Sequence, residues 1–268
     1  MLVKRLATAA VLVPLVVLGT LKLDNASFSF ALTIVVALGA WEFAQLIQIK
    51  KLFLKALYST VVAIAALSIT FYEALLVPIL IVSAAWWALN VAWILLYPKN
   101  SVFWYGGWLV RLINGIFLFV PMLGALAALQ NTSSELVLLL LVLIWAADSG
   151  AFFVGKSLGK HKLCARVSPA KTIEGAIGGA LTTIVVATLY VAFQLESPGA
   201  EQYLIFVFLA LLVAIASILG DLFESLFKRI SNIKDSGNLL PGHGGIFDRI
   251  DSLTAAAPIF YLAYEILI

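Results

Sequence analysis

The sequence contains a single cysteine, Cys164, so no internal disulfide can form and a secreted disulfide scaffold is excluded. Charge is scarce too. Asp, Glu, Lys and Arg make up 12% of the 268 residues, against roughly 25% in an ordinary soluble domain. A soluble globule needs polar cover that this chain lacks, because 63% of it is hydrophobic and its mean hydropathy is +1.09. The long alternation of apolar and polar residues that marks a transmembrane β-barrel is also missing. Continuous apolar runs of about twenty residues take its place, the length a helix needs to cross a bilayer. The fold class this predicts is all-α, a polytopic transmembrane helical protein.

Nine spans are expected, near 6–21, 28–47, 56–72, 74–96, 108–129, 136–154, 173–194, 203–220 and 247–267. Lys4 and Arg5 before the first apolar run resemble a signal peptide, but no convincing small-residue cleavage site follows. Between the third and fourth spans only Phe71, Tyr72 and Glu73 remain, so that turn must be tight. Trp86, Trp87, Trp93 and Tyr97 read as an interfacial aromatic anchor of the fourth span. Residues 1–130 are expected to be a scaffold of helices. Residues 131–268 are expected to be the catalytic region, with two long loops at 155–172 and 221–246.

Basic residues set the orientation. With nine spans, 16 of the 17 Lys and Arg fall on one face, and only Lys22 falls on the other. A missing span would scramble that split. The expected layout has a cytoplasmic N-terminus, an external C-terminus and both long loops in the cytoplasm.

Ionisable groups inside membrane spans are costly and functional by default. They concentrate in the second half: Asp148, Glu174, Asp221, Glu224, Asp248 and Asp251, with Glu42 the outlier in the first half. Asp221, Ser225 and Lys228 share one helix face if the eighth helix continues that far. Asp248, Asp251 and Ser252 share a face of the next helix. Two such carboxylate faces suit a hard divalent cation, which takes oxygen ligands. They also read as ordinary helix-end charges, since Asp248 and Asp251 favour a helix N-terminus in any case.

The loop Lys234-Asp-Ser-Gly-Asn-Leu-Leu-Pro241-Gly-His243-Gly244-Gly245 can bring backbone N–H groups close to an anion. Lys228, Arg229, Lys234 and Arg249 around it point to phosphate. Gly150-Ala-Phe-Phe-Val-Gly155-Lys156-Ser157 matches the P-loop pattern, but it follows a membrane span and not a strand, so it is rejected. Gly175 and Gly179, four apart, are expected to serve close helix packing. His161 reads as a solvated loop residue.

Ser225-Leu-Phe-Lys228-Arg229, four further residues, and Lys234 to Asp251, together the 27 consecutive positions 225–251, resemble the defining motif of the phosphatidate cytidylyltransferases, or CDP-diacylglycerol synthases. Asp148-Ser-Gly-Ala-Phe-Phe-Val-Gly-Lys-Ser-Leu-Gly-Lys-His-Lys and Ser168-Pro-Ala-Lys171-Thr-Ile-Glu174-Gly resemble the same family. Ala170 stands where the family commonly has a second Lys, Ser149 replaces a usual Thr, and Lys156 a usual Arg.

The resemblance implies an all-α enzyme that joins CTP to phosphatidate, giving CDP-diacylglycerol and pyrophosphate. It implies Mg²⁺ or another divalent cation, with room for a second, and Asp221 and Asp248 as metal ligands. Asp148, Lys171 and Asp251 complete the expected catalytic set. Ser225, Lys228, Arg229, Lys234, His243, Gly244, Gly245 and Arg249 are the expected substrate-binding residues. The expected setting is a homodimer in a bacterial inner membrane, with the bilayer and not nucleic acid as its surroundings.

The chemistry needs no nucleophilic triad. The second pKa of a phosphate monoester is about 6, so phosphatidate is mostly dianionic at neutral pH and already nucleophilic. What it needs is cationic help against the repulsion of two anions, and in-line positioning. Two other classes compete. A secondary transporter could use Asp148, Asp221 and Asp248 as an ion path, but its site would lie near the midplane between repeated halves, and no repeat is visible. A CTP-dependent polyprenol or lipid kinase would not carry the 27-residue match.

Overall fold

The computed structural model describes residues 2–99, 107–239 and 244–268, with side chains from Thr8 onward. Nine long α-helices run through the described residues. They are α1 (Leu2–Lys22), α2 (Asn25–Leu46), α3 (Leu52–Ser68), α4 (Glu73–Leu96), α5 (Trp108–Thr132), α6 (Ser134–Leu158), α7 (Ile173–Gln194), α8 (Ala200–Ser231) and α9 (Phe247–Leu267). Eight of them, α2 to α9, are long and apolar enough to cross a membrane, with α3 counted to Phe71. In α1 the apolar stretch with described side chains is Thr8–Lys22. Large apolar side chains such as Phe30, Phe53, Leu89 and Phe193 stand exposed along the helices. This outer surface belongs in lipid, and the chain is an integral membrane protein.

The tight turn between the third and fourth spans is a single 3₁₀ turn, Ile69–Phe71. Two features depart from expectation. Residues in the first long loop form a short antiparallel hairpin, β1 (Lys162–Cys164) and β2 (Ser168–Thr172), in which Lys162 pairs with Thr172 and Cys164 with Ser168. And α8 does not end near 220. It runs to Ser231 and stops at Asn232, which takes the left-handed conformation (φ 55°) that asparagine tolerates at a helix end. The second long loop is therefore much shorter than residues 221–246, and its first half is helix.

The aromatic residues of α4 are core, not an interfacial belt. Trp86, Trp87 and Trp93 are all buried. Trp86 and Trp87 lie edge-on to Phe223 at 5.2 and 5.4 Å, and Trp93 meets Phe227 at 5.7 Å. Phe43 of α2 joins them, 5.1 Å from Phe227 and 5.7 Å from Phe247. Each such pair contributes about 0.5–1.5 kcal/mol beyond its buried area. The cluster ties α2, α4 and α5 to α8 and α9 next to Asp221, Lys228 and Asp248.

Helices α6 and α7 pack backbone to backbone. A Cβ on Gly179 would lie 2.7 Å from the Ala147 carbonyl oxygen, and one on Gly175 2.8 Å from that of Ala151. Both glycines serve close packing, as their spacing predicts. The rejected P-loop match, 150–157, is helical within α6.

Candidate active site

The start of α7 is held by its own residues. The Thr172 hydroxyl accepts from the Gly175 N–H at 3.1 Å, capping the helix. The Glu174 carboxylate accepts from the backbone N–H groups of Lys160 and His161, and meets His161 Nδ1 at 2.6 Å. His161 is thus exposed but paired. This frame sets Lys171, the penultimate residue of β2, against α8, where its Nζ lies 2.7 Å from Asp221 Oδ2.

Because α8 continues, Asp221, Ser225 and Lys228 do share a face. The Ser225 hydroxyl donates to Asp221 Oδ1 at 3.1 Å. One turn on, the Lys228 ammonium lies between two acids, 2.6 Å from Glu224 Oε2 and 2.5 Å from Asp248 Oδ1. Arg229 points to the hairpin and donates from Nε to the Val167 carbonyl at 3.0 Å. Its place in the fold is to fasten the hairpin to α8.

Asp148 is exposed on α6, with the buried Ser217 hydroxyl 3.4 Å away. It interacts electrostatically with Lys171, Asp221 and Arg249. Asp251 interacts with Asp221, Asp148 and Lys228. A small cleft between α6, α7 and α8 is lined by Asp148, Lys171, Ala176, Ala180 and Ala214. A roomier cavity of about 490 Å³, lined by Leu136, Tyr190, Glu201, Phe206 and Tyr264, lies elsewhere and has no Lys or Arg in its described wall.

The predicted acids therefore gather where α6, α8 and α9 come together beside the end of β2. They form two joined groups: Asp148, Asp221 and Asp251 with Lys171, and Asp248 with Lys228, which also holds the unpredicted Glu224. Asp221 and Asp248 hold different lysines. Among the described residues no group of three or more His, Cys, Asp or Glu is arranged to hold a metal ion. In donor type, however, the residues fit a hard divalent cation. Five carboxylates gather with Lys171, Lys228 and Arg249, and all the acidic donors are oxygens.

The glycine-rich loop shows a different use of its N–H groups. The Gly245 N–H donates to Asp248 Oδ2 at 2.7 Å, and the Ser236 N–H reaches the same carboxylate at 3.2 Å. The anion they hold is the protein's own Asp248. Gly244 sits at φ +82°, a conformation that suits glycine. Lys234 and Arg249 are exposed beside the loop. His243 lies outside the described residues.

Comparison with known proteins gives the family. The cytidylyltransferase family matches residues 3–267. The chain belongs to that family. It is 41% identical to the phosphatidate cytidylyltransferase of Pseudomonas aeruginosa, over 97% of this chain and 96% of the relative. It is 34% identical to the phosphatidate cytidylyltransferase of Haemophilus influenzae, over 98% and 99%. The Bacillus subtilis protein of the same name is 49% identical over 120 residues, 45% of this chain. Two acids outside the predicted set lie at or beside the site. Glu224 pairs with Lys228, and Glu42 is buried beneath the loop. The signal was present in both, a carboxylate inside an apolar span; the four-residue spacing to Lys228 gave Glu224 its partner if α8 continued, but Glu42 has no partner within reach along the chain.

Proposed function

We propose that this protein is a phosphatidate cytidylyltransferase, which joins CTP to phosphatidate and releases pyrophosphate. The observation that carries the reading is likeness to the Pseudomonas aeruginosa enzyme along nearly the whole chain, with Lys171 of β2 paired to Asp221 of α8.

A phosphatidate oxygen forms a bond to the α-phosphorus of CTP, and the α–β anhydride bond breaks. The two electrons of that bond leave with pyrophosphate. No base is needed to create the nucleophile, because the phosphate is already mostly dianionic. The residues must bind, shield and align two anions. Lys171 is the foremost candidate for a phosphate contact: it is partly exposed and sits just before a helix N-terminus, where anions are favoured. Lys228, more deeply set, balances Glu224 and Asp248.

Mg²⁺, held by Asp221 and Asp248 with Asp148 and Asp251 beside them, would neutralise phosphate charge when bound. Ser225, Arg229, Lys234, His243, Gly244, Gly245 and Arg249 belong to the substrate-binding side of the same reading. The site faces the cytoplasm from a bacterial inner membrane, in keeping with 16 of 17 basic residues on that face. CTP then arrives from water and phosphatidate from the bilayer, and the enzyme works as a homodimer.

The test uses CTP labelled at the α- or the γ-phosphate, with phosphatidate and Mg²⁺ in detergent. α-Label is expected in a lipid-soluble product and γ-label in pyrophosphate. γ-Label in lipid would mark a kinase and overturn the reading, as would label that never leaves CTP.

A further inference from the structure

Glu42 is a carboxylate near the C-terminal end of α2, far in sequence from the acids described above. It is 2% exposed. Its Oε2 accepts from the Ser236 hydroxyl at 3.1 Å and from the Phe247 backbone N–H at 2.8 Å. Ser236 and Phe247 stand at the two ends of the glycine-rich segment. Phe247 opens α9, so its N–H is one of the donors a helix start leaves without an intrahelical partner. Ser236 also donates its own N–H to Asp248. A chain of contacts thus runs from α2 through Ser236 to Asp248, and from Asp248 to Lys228.

Two glycines make this approach possible. A Cβ on Gly237 would collide with Glu42 Oε1, and one on Gly245 with Glu42 Oε2 and the Ser236 hydroxyl. The described ends of the segment are shaped around the carboxylate. Two of its glycines clear space for a buried side chain, apart from any part in binding an external anion. Phe43, the next residue, packs on Phe119, Phe227 and Phe247, so the backbone carrying Glu42 is anchored in the aromatic cluster.

We infer that Glu42 is a positioning residue: from the N-terminal half it clamps both ends of segment 236–247 and so holds Asp248 in the site. The inference rests on the reaction proposed above. Hydrogen bonds to a charged acceptor are roughly twice as strong as neutral ones. Glu42→Gln keeps the size and one accepting oxygen but removes the charge, so it loosens the clamp without opening a cavity.

The experiment compares full-length wild type and Glu42→Gln in detergent by amide hydrogen exchange without substrate, and by steady-state turnover. Faster exchange is expected in peptides carrying Ser236 and Phe247, with α6 and α7 unchanged. kcat should fall about tenfold, with KM for phosphatidate within about twofold, because the variant disturbs alignment more than binding. Wild-type exchange in the loop would overturn the inference. So would a looser loop with unchanged kcat, or exchange that rises along the whole chain, which marks a purely structural acid. If Glu42→Gln does not fold, Ser236→Ala decides. It removes one clamp bond, and kcat should fall roughly fivefold with faster loop exchange; wild-type values in that variant would overturn the inference. A wild type that makes no CDP-diacylglycerol would refute the reaction instead, and the exchange measurement would still judge the clamp.

Discussion

Lys228 is the residue whose removal the structure prices most clearly. Its ammonium lies between Glu224 and Asp248, and the three side chains are 16%, 2% and 10% exposed. Lys228→Met keeps the length and the apolar stem but leaves two shielded carboxylates without their cation. Removing one partner of a buried pair costs about 3–5 kcal/mol, because the remaining charge stays buried. At about 2–4 °C per kcal/mol for a protein near this size, the melting temperature should fall by roughly 6–20 °C. Tryptophan fluorescence in detergent reads this directly, since Trp86, Trp87 and Trp93 pack on Phe223 and Phe227 of the same helix. Glu224→Gln alone should cost far less, because Lys228 keeps Asp248. The double variant leaves only Asp248, which still accepts from the Ser236 and Gly245 N–H groups. It should therefore be more stable than Lys228→Met by about 1–3 kcal/mol, the coupling expected of residues in contact. A double variant that melts at or below Lys228→Met would refute the argument that uncompensated charge is what destabilises.

Lys171→Ala should reduce CTP turnover strongly while leaving the melt nearly unchanged, as its pair with Asp221 is partly exposed; activity within about twofold of wild type would make Lys171 a topology charge and promote Arg166 or Lys162. Asp221→Asn and Asp248→Asn should each remove most turnover and add little when combined, as residues of one unit do; additive losses with unchanged Mg²⁺ dependence would instead direct attention to Asp148 and Asp251. With Cys164 replaced, single cysteines at positions 160 and 238 should be labelled from the cytoplasmic side and one at 199 should not; the reverse pattern would overturn the orientation.

Much of this protein is legible along the chain because the bilayer imposes a simple code. A helix must satisfy its backbone internally and present about twenty apolar residues, so the spans, and the tight turn after Ser68, are written locally. The glycines at 175 and 179 are legible for a similar reason, since small residues four apart mark one helix face. The acids Asp148, Asp221, Asp248 and Asp251 stand out because charge in an apolar run is rare.

What the chain alone could not decide is which group meets which. Hydropathy could not say that α8 continues to Ser231, because its last turns carry charges: Lys228 pairs with Glu224 on the same helix, but its second partner Asp248, and the Val167 carbonyl that Arg229 meets, come from elsewhere in the fold. Tryptophans near a span's end look alike whether they face headgroups or protein, and only the packing of α8 on α4 made them core. The Lys171–Asp221 pair crosses 50 residues, and the Glu42–Phe247 bond spans 205. Local spacing carries no information about such pairs. Their partners are chosen by how whole helices pack, and that choice belongs to the tertiary structure.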